Sequence, residues 1–328
     1  MRTIITGGCG FIGKALAHYL LKSFEKSDEL ILIDTMQRHG HVDDDITSHP
    51  QVKTMQIDLA DRESLNTLPT PVDRVYHLAA IVGVEPVVEN PTGVLRDNTL
   101  STMNILEWFV KNSSPQARFL FASSSEVYSG AHLADFDVPI PTPENVPAVI
   151  ADMQNPRFSY ALSKMWGEAY AYSLAKQKKR FITSVRYHNI YGPQMGFDHV
   201  IPQIILRIKA KENPFKIIAS EQTRSFCWIE DAVKATCLVM ESDKTEPGMV
   251  VHVGNQEEEI SIENLYELIF ETYGQYPDEI NRCSAPEGSV NRRCPDTELL
   301  KFLTGYSPKT TLRDGLEETV LWYRNNIQ

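Results

Sequence analysis

Three glycines at fixed intervals constrain this chain more than anything else in it: Gly7, Gly10 and Gly13, within Thr6-Gly7-Gly8-Cys9-Gly10-Phe11-Ile12-Gly13. They follow a short apolar run, Thr3–Thr6, and lead into a helix-like stretch from Lys14 to Lys22. Gly8, Gly10 and Gly13 satisfy a second glycine spacing in the same segment. A strand that turns at once into a helix needs residues without a Cβ where the backbone reverses. The helix then presents unbonded N–H groups and the positive end of its dipole, which together seat an anion. With backbone free to approach closely, that anion is a pyrophosphate, and Gly7, Gly10, Phe11, Ile12 and Gly13 are its candidate contacts.

The next signal is Asp34, which closes the apolar run Leu30-Ile31-Leu32-Ile33. It lies about 20 residues past the last glycine, where a carboxylate meets the adenosine ribose hydroxyls of a dinucleotide. A carboxylate there repels a 2′-phosphate, so the expected cofactor is NAD rather than NADP. Arg38 is near enough in sequence to bear on that choice.

Short apolar runs recur at Val52–Gln56, Val75–Leu78, Arg118–Ala122 and Ile182–Arg186, with stretches between them long enough for crossover helices. Such alternation predicts an α/β fold: a Rossmann-type, doubly wound parallel sheet. After about residue 190, prolines and turn residues break the pattern into shorter elements, with helices expected at Pro202–Lys211, Ile229–Met240, Ile262–Tyr273 and Leu312–Asn325. The expected division is a cofactor-binding domain over 1–188 and a smaller, mixed, mainly substrate-binding domain over 189–328, with a strand or helix from about 229–255 returning to the first. The proline-rich stretch Val138–Pro147 reads as a surface loop.

Composition limits the partners. A net charge of −11 over 328 residues argues against nucleic acid. No apolar run approaches the roughly 20 residues that span a bilayer, and no leader is expected, because the first strand starts almost at Met1. Five scattered cysteines without a Cys-x-x-Cys pair, and nine histidines without a close ligand pair, predict reduced thiols in a cytoplasmic setting and no metal site.

Two side-chain groupings could carry chemistry. Tyr160 and Lys164 stand four residues apart, on one helix face, where an ammonium can draw the phenol's pKa downward and make a usable base. Tyr172 and Lys176 repeat the spacing, but in mid-helix, where packing or a dimer surface is the expected role. Ser123-Ser124-Ser125-Glu126-Val127-Tyr128 follows the strand at 118–122. A hydroxyl there can bond the oxygen that Tyr160 deprotonates, and Glu126 can move a proton.

With Asp58-Leu59, His77-Leu78-Ala79-Ala80, Asn98, Arg186-Tyr187-His188-Asn189-Ile190-Tyr191-Gly192-Pro193, Arg224-Ser225-Phe226 before Asp231, Gly254-Asn255 and Arg292-Arg293 before Pro295-Asp296, the chain resembles, end to end, the extended short-chain dehydrogenase/reductases that act as nucleotide-sugar epimerases, dehydratases and decarboxylases. The resemblance implies that Asp58 and Leu59 flank the adenine, and that Leu78, Ala79 and Ala80 line the cofactor. It places Asn98 in a structural and proton-relay tetrad with Ser124, Tyr160 and Lys164. It gives Asn189, Arg224 and Arg293 to a substrate diphosphate, with Arg292 as their neighbour, and it implies a homodimer through a four-helix bundle built from 91–111 and 159–179. Leu106, Trp108, Trp166 and Tyr170 would supply that surface or simply the core. Two departures stand out: Ser101 replaces a frequent glycine, and Ala219-Ser220-Glu221 replaces a glycine-rich turn near the base pocket of relatives.

The shared reaction is transient oxidation at sugar C4. Dehydratases of this kind carry Asp-Glu where this chain has Ser125 and Glu126, and a serine is a poor acid for a departing hydroxyl. Ser125-Glu126, Pro156-Arg157-Phe158-Ser159-Tyr160 and Arg292-Arg293-Cys294-Pro295-Asp296 resemble the nucleotide-hexuronate decarboxylases. The sequence thus favours a UDP-hexuronate decarboxylase, leaves a 4-epimerase open, and disfavours a 4,6-dehydratase. A non-catalytic NAD-binding sensor is the reading from another class.

Overall fold

The computed structural model of this chain describes residues 1–37, 44–134, 136–286 and 288–327, so Arg38 lies outside the described residues. Six strands stand where the apolar runs place them: β1 (Arg2–Thr6), β2 (Glu29–Asp34), β3 (Val52–Gln56), β4 (Val72–His77), β5 (Ser113–Ser124) and β6 (Phe181–Tyr187). They pair in the order β3-β2-β1-β4-β5-β6, and Val250–Val253 adds a strand beyond β6. Each pairing from β3 to β6 is parallel. This is the doubly wound arrangement, whose winding reverses between β1 and β4 and leaves a crevice at their carboxyl ends.

Three helices matter to the site. α1 (Phe11–Leu21) follows β1 after four residues, with Gly10 as its N-cap and no side chain closing its first turn. α2 (Pro91–Asn112) starts cleanly because the Asn90 side chain accepts the Gly93 N–H and Pro91 needs no donor partner. α3 (Phe158–Lys178) ends where Lys179 turns left-handed. α2 and α3 bury one face against β4, β5 and β6 in a core that includes Ile105, Leu106, Trp108, Phe109, Phe119, Phe121, Ala171, Ala175 and Ile182. Full burial of such side chains contributes about 1.5–3 kcal/mol each. Leu106 and Trp108 therefore belong to the core, while Tyr170 is partly buried and stacks on Trp166 at 4.9 Å. Gly167 lets α3 lie flat on β5, since a Cβ there would meet the Phe121 ring at 2.4 Å.

The described residues group into two compact units: Met1–Val127 with Asp152–Tyr187 and Val233–Val251, and Tyr128–Ala151 with His188–Ala232 and His252–Gln328. The second unit contains a three-stranded sheet with β7 (Thr223–Ser225) between β8 (Glu259–Ser261) and β9 (Arg292–Arg293). The helices Val200–Lys209, Ile262–Tyr273 and Leu312–Asn326 pack on one another there, and the four late helices expected from sequence are all present. Asp231 caps a loop in this unit by accepting the Lys309 and Thr310 N–H groups and the Tyr306 hydroxyl. Among the described residues, no helix is long and apolar enough to cross a membrane. All five cysteines are free thiols.

Candidate active site

The glycine loop has the geometry its spacing implies. Gly7 sits at φ +68°, and a Cβ on it would meet the Ala79 nitrogen at 2.8 Å. A Cβ on Gly13 would meet the Gly7 carbonyl oxygen at 2.2 Å. That carbonyl accepts the Gly10 N–H at 3.1 Å, which fixes the turn. Phe11 and Ile12 form the first turn of α1, where no acidic side chain competes for the exposed N–H groups. Asp34 ends β2 beside this loop. Its carboxylate accepts the Cys9 N–H at 3.1 Å and the Met36 N–H at 3.0 Å, which orients it. A narrow anion cradle with an aimed carboxylate fits a dinucleotide.

The β4 side of the crevice is held by buried polar contacts. Leu78 N–H donates to the Thr6 carbonyl, and Ala79 N–H to the Thr6 hydroxyl at 3.3 Å. Thr6 also bonds His77 at 2.7 Å, and His77 bonds Thr102 at 3.1 Å. His77 is fully buried, and burial with the nearby Lys164 charge lowers its pKa to about 3. Asn98, buried in α2, accepts the Ile81 N–H at 2.7 Å and donates to the Ile81 carbonyl and to Ser163. It thereby fixes the segment that follows Ala80 and ties it to α3. Asp58 is exposed, with its carboxylate accepting the Ala60 N–H. Leu59 is 3% exposed within the core, and its carbonyl accepts the Asn104 side-chain amide at 2.9 Å. Ser101 turns its hydroxyl back to the Asp97 carbonyl at 2.6 Å.

β5 and α3 bring the candidate catalytic residues together. Ser124 ends β5, where its hydroxyl accepts the Glu126 N–H at 3.3 Å and stands close enough to the Tyr160 phenol to draw its pKa down. Ser125 is buried, and Glu126 follows on the short turn Ser125–Tyr128. Lys164 is 3% exposed, with Nζ 4.9 Å from the Phe121 ring centroid and 5.7 Å from that of Tyr160. The expectation that the ammonium lowers the Tyr160 pKa needs correction. Burial and the Glu126 charge hold the phenol well above its usual 10, and only the Ser124 hydrogen bond opposes them. Burial also pushes Lys164 down to about 7, with the Glu168 charge opposing it. Desolvation disfavours the charged form of both groups. Tyr172, the other tyrosine of the repeated spacing, is 53% exposed, with Lys176 over its ring.

In the second unit, β7 and β9 run parallel with Arg224 and Arg293 as register partners, so both guanidinium groups leave one face of the sheet. Arg224 donates to the Gln222 side chain at 2.8 Å and the Thr223 carbonyl at 2.7 Å. Arg293 is 7% exposed and donates to Ser129 at 2.8 Å. Arg292 points elsewhere and forks onto Glu259 at 2.7 and 2.8 Å. Asn189, at φ +41°, donates its amide to the Ser225 carbonyl at 2.8 Å. Ala219 takes φ +60°, a left-handed position that favours glycine.

Several residues in these contacts escape a sequence reading. Thr6, His77 and Thr102 lie far apart in the chain and carry no spacing signal. Glu168 does: it follows Lys164 by four residues, on the face that carries Tyr160. It pairs through both oxygens with Arg186 at 2.8 Å and accepts the Ser123 hydroxyl.

A family model described as the NAD dependent epimerase/dehydratase family matches residues 3–254. The UDP-N-acetyl-alpha-D-glucosaminuronate decarboxylase of Bacillus cytotoxicus is 29% identical over 98% of each chain. The UDP-glucuronic acid decarboxylase 1 of Xenopus tropicalis is 28% identical over 100% of this chain and 73% of its own length. A crystal structure of a UDP-galactose 4-epimerase is 27% identical over 100% of both chains, with a TM-score of 0.81.

Proposed function

This chain belongs to the NAD-dependent epimerase/dehydratase family, and from that premise we propose that it is a UDP-hexuronate decarboxylase acting through C4 oxidation of the sugar. NAD, when bound, supplies the acceptor for the C4 hydride. Tyr160 takes the proton of the C4 hydroxyl as its phenolate, a form that burial opposes and that the positive charges of Lys164 and of bound NAD would favour, while Ser124 bonds the same oxygen. The resulting C4 ketone makes the C6 carboxylate a β-keto acid. The C5–C6 bond breaks, carbon dioxide leaves, the bond's electron pair enters the C4 carbonyl, and a proton returns to C5; the C4 ketone then either takes its hydride back or leaves as a 4-keto pentose with the cofactor still reduced. Lys164 stays close to Tyr160 as the local positive charge, and Arg224, Arg293 and Asn189 take the diphosphate, for which arginine's planar fork is suited.

The observation that carries this reading over dehydration is the acid–base content around Tyr160. Glu126 is the carboxylate whose charge reaches the phenol, and its neighbour Ser125 is a buried hydroxyl. Dehydration needs both an acid for the C6 hydroxyl and a base at C5; decarboxylation of a β-keto acid needs neither. The decarboxylases among the relatives support it. A 4-epimerase is the second reading, favoured by the full-length likeness to the UDP-galactose 4-epimerase structure. Mass spectrometry after incubation with UDP-glucuronate separates them: loss of carbon dioxide supports decarboxylation, and an isomer of unchanged mass refutes it. Tyr160→Phe abolishes turnover while NAD binding persists.

The assembly proposed with this function is a homodimer through α2 and α3, with the stacked Trp166 and Tyr170 and the exposed Tyr172 as candidate contacts. Light scattering of the purified chain tests it, and a monomer removes it.

A further inference from the structure

The Glu168–Arg186 pair is unusually placed for a structural ion pair. Its side chains are 11% and 6% exposed, and both arms of the fork close at 2.8 Å. A third group joins it: the Ser123 hydroxyl donates to Glu168 Oε1 at 2.5 Å. Ser123 and Arg186 are register partners on β5 and β6. Glu168 stands on α3, one turn beyond Lys164 and two beyond Tyr160. One carboxylate therefore ties together the strand ending in Ser124, its neighbouring strand, and the helix carrying Tyr160 and Lys164.

We propose that Glu168, held by Arg186 and latched to Ser123, is the positioning residue of the candidate catalytic set: it fixes the strand of Ser124 against the helix of Tyr160 and Lys164, and sets a carboxylate charge one turn from Lys164. The inference deepens the functional reading above and rests on it only for its kinetic part.

The charges around Lys164 make the second role necessary. On its own helix lie Tyr160, neutral at ordinary pH, and Glu168. From β4 comes His77, neutral because it is buried. From β5 comes the Phe121 ring, with Glu126 beyond it facing Tyr160. From β6 comes Arg186, whose charge Glu168 binds. Glu168 is the charge that raises the Lys164 pKa against burial, which has already brought it to about 7. Without that carboxylate, Lys164 loses its proton at a lower pH than it does in the intact chain. Removing it also strands the Arg186 guanidinium nearby, which acts in the same direction.

Isotope-labelled lysine in the full chain reports the Lys164 titration by NMR, the signal being identified by its loss in Lys164→Arg. The expected wild-type midpoint is about 7. In Glu168→Gln it falls by about one unit, as expected for loss of an opposite charge at short range. A half-broken buried pair can unfold a protein, so Glu168→Gln/Arg186→Met, which leaves no orphan charge, carries the same test and also titrates below wild type. Ser123→Ala keeps the ion pair: its Lys164 midpoint stays at the wild-type value, while kcat falls several-fold with KM unchanged. The alkaline limb of the wild-type rate profile moves to lower pH in both Glu168 variants. A folded double variant that titrates Lys164 at the wild-type midpoint overturns the proposal, as does wild-type kcat in Ser123→Ala. A chain that turns over no nucleotide sugar sinks the functional reading instead and leaves the titration to decide this one.

Discussion

Gly13→Ala tests the cofactor cradle at its tightest point. The added Cβ would lie 2.2 Å from the Gly7 carbonyl oxygen, 2.8 Å from Gly8 Cα and 2.9 Å from the Gly8 carbonyl carbon. All three are backbone atoms, so no flexible side chain can swing aside. A carbon–oxygen contact needs about 3.3 Å, so the loop must open by about 1 Å. The displaced carbonyl is the one that accepts the Gly10 N–H and sets the turn. Overpacking of this kind costs about 1–3 kcal/mol. If the loop has to close again around the pyrophosphate, that cost is taken from binding and weakens the NAD dissociation constant roughly 5- to 150-fold. Gly274→Ala is the control. Gly274 is left-handed at φ +76° with no atom within 4 Å of the new Cβ, so it loses about 1 kcal/mol of stability through strain while leaving NAD affinity intact. Calorimetric titration with NAD, beside thermal melts of each variant, separates the effects. Wild-type NAD affinity and an unchanged melt in Gly13→Ala would refute the reasoning.

Arg180 is a buried cation at the C-terminal end of α2, donating to the Val110, Ser113 and Ser114 carbonyls with its guanidinium over Phe109. Arg180→Met loses these charged hydrogen bonds and about 2–3 kcal/mol in urea unfolding, with turnover per folded molecule unchanged. Ala219→Gly relieves a left-handed alanine and raises the unfolding free energy by about 0.5–1 kcal/mol, measured the same way. Acid stability follows from His77, whose folded pKa is about 3 against 6.5 when exposed. The unfolded chain takes up its proton as the pH falls through 6.5, and the folded chain does so only near 3. Stability is therefore lost across that window, at up to about 1.4 kcal/mol per unit. Urea midpoints from pH 7 downward check this, and His77→Gln flattens the slope; an equal slope in the variant assigns the loss to other groups.

The sequence reading reached furthest where the physics is local. Six strands, four late helices and the helix bearing Tyr160 and Lys164 follow from apolar spacing and turn chemistry within a dozen residues. Gly13 announces a tight turn because a Cβ there is excluded by Gly7 and Gly8, only a few residues away, whereas a Cβ on Gly7 is excluded by the distant Leu78 and Ala79. The reading was weaker where one-dimensional spacing meets three-dimensional packing. Leu106 and Trp108 have the periodicity of either an interface or a core, and the packing of α2 on the sheet assigns them to the core. Arg292 and Arg293 are adjacent in sequence, yet one is spent on Glu259 and the other is buried beside Ser129.

From the chain alone came the glycine turn, the placing of Asp34 at the end of the second strand, the Tyr160–Lys164 face and the doubly wound sheet, because each is written in residues within one or two turns or strands of each other. Tertiary structure alone decided that Arg224 and Arg293 are strand neighbours 69 positions apart, that Thr6, His77 and Thr102 form one buried chain, and that Glu168 gathers two strands and a helix. It also set burial against the expected lowering of the Tyr160 pKa, because desolvation sums over every atom packed around a group and spacing along the chain records only its neighbours.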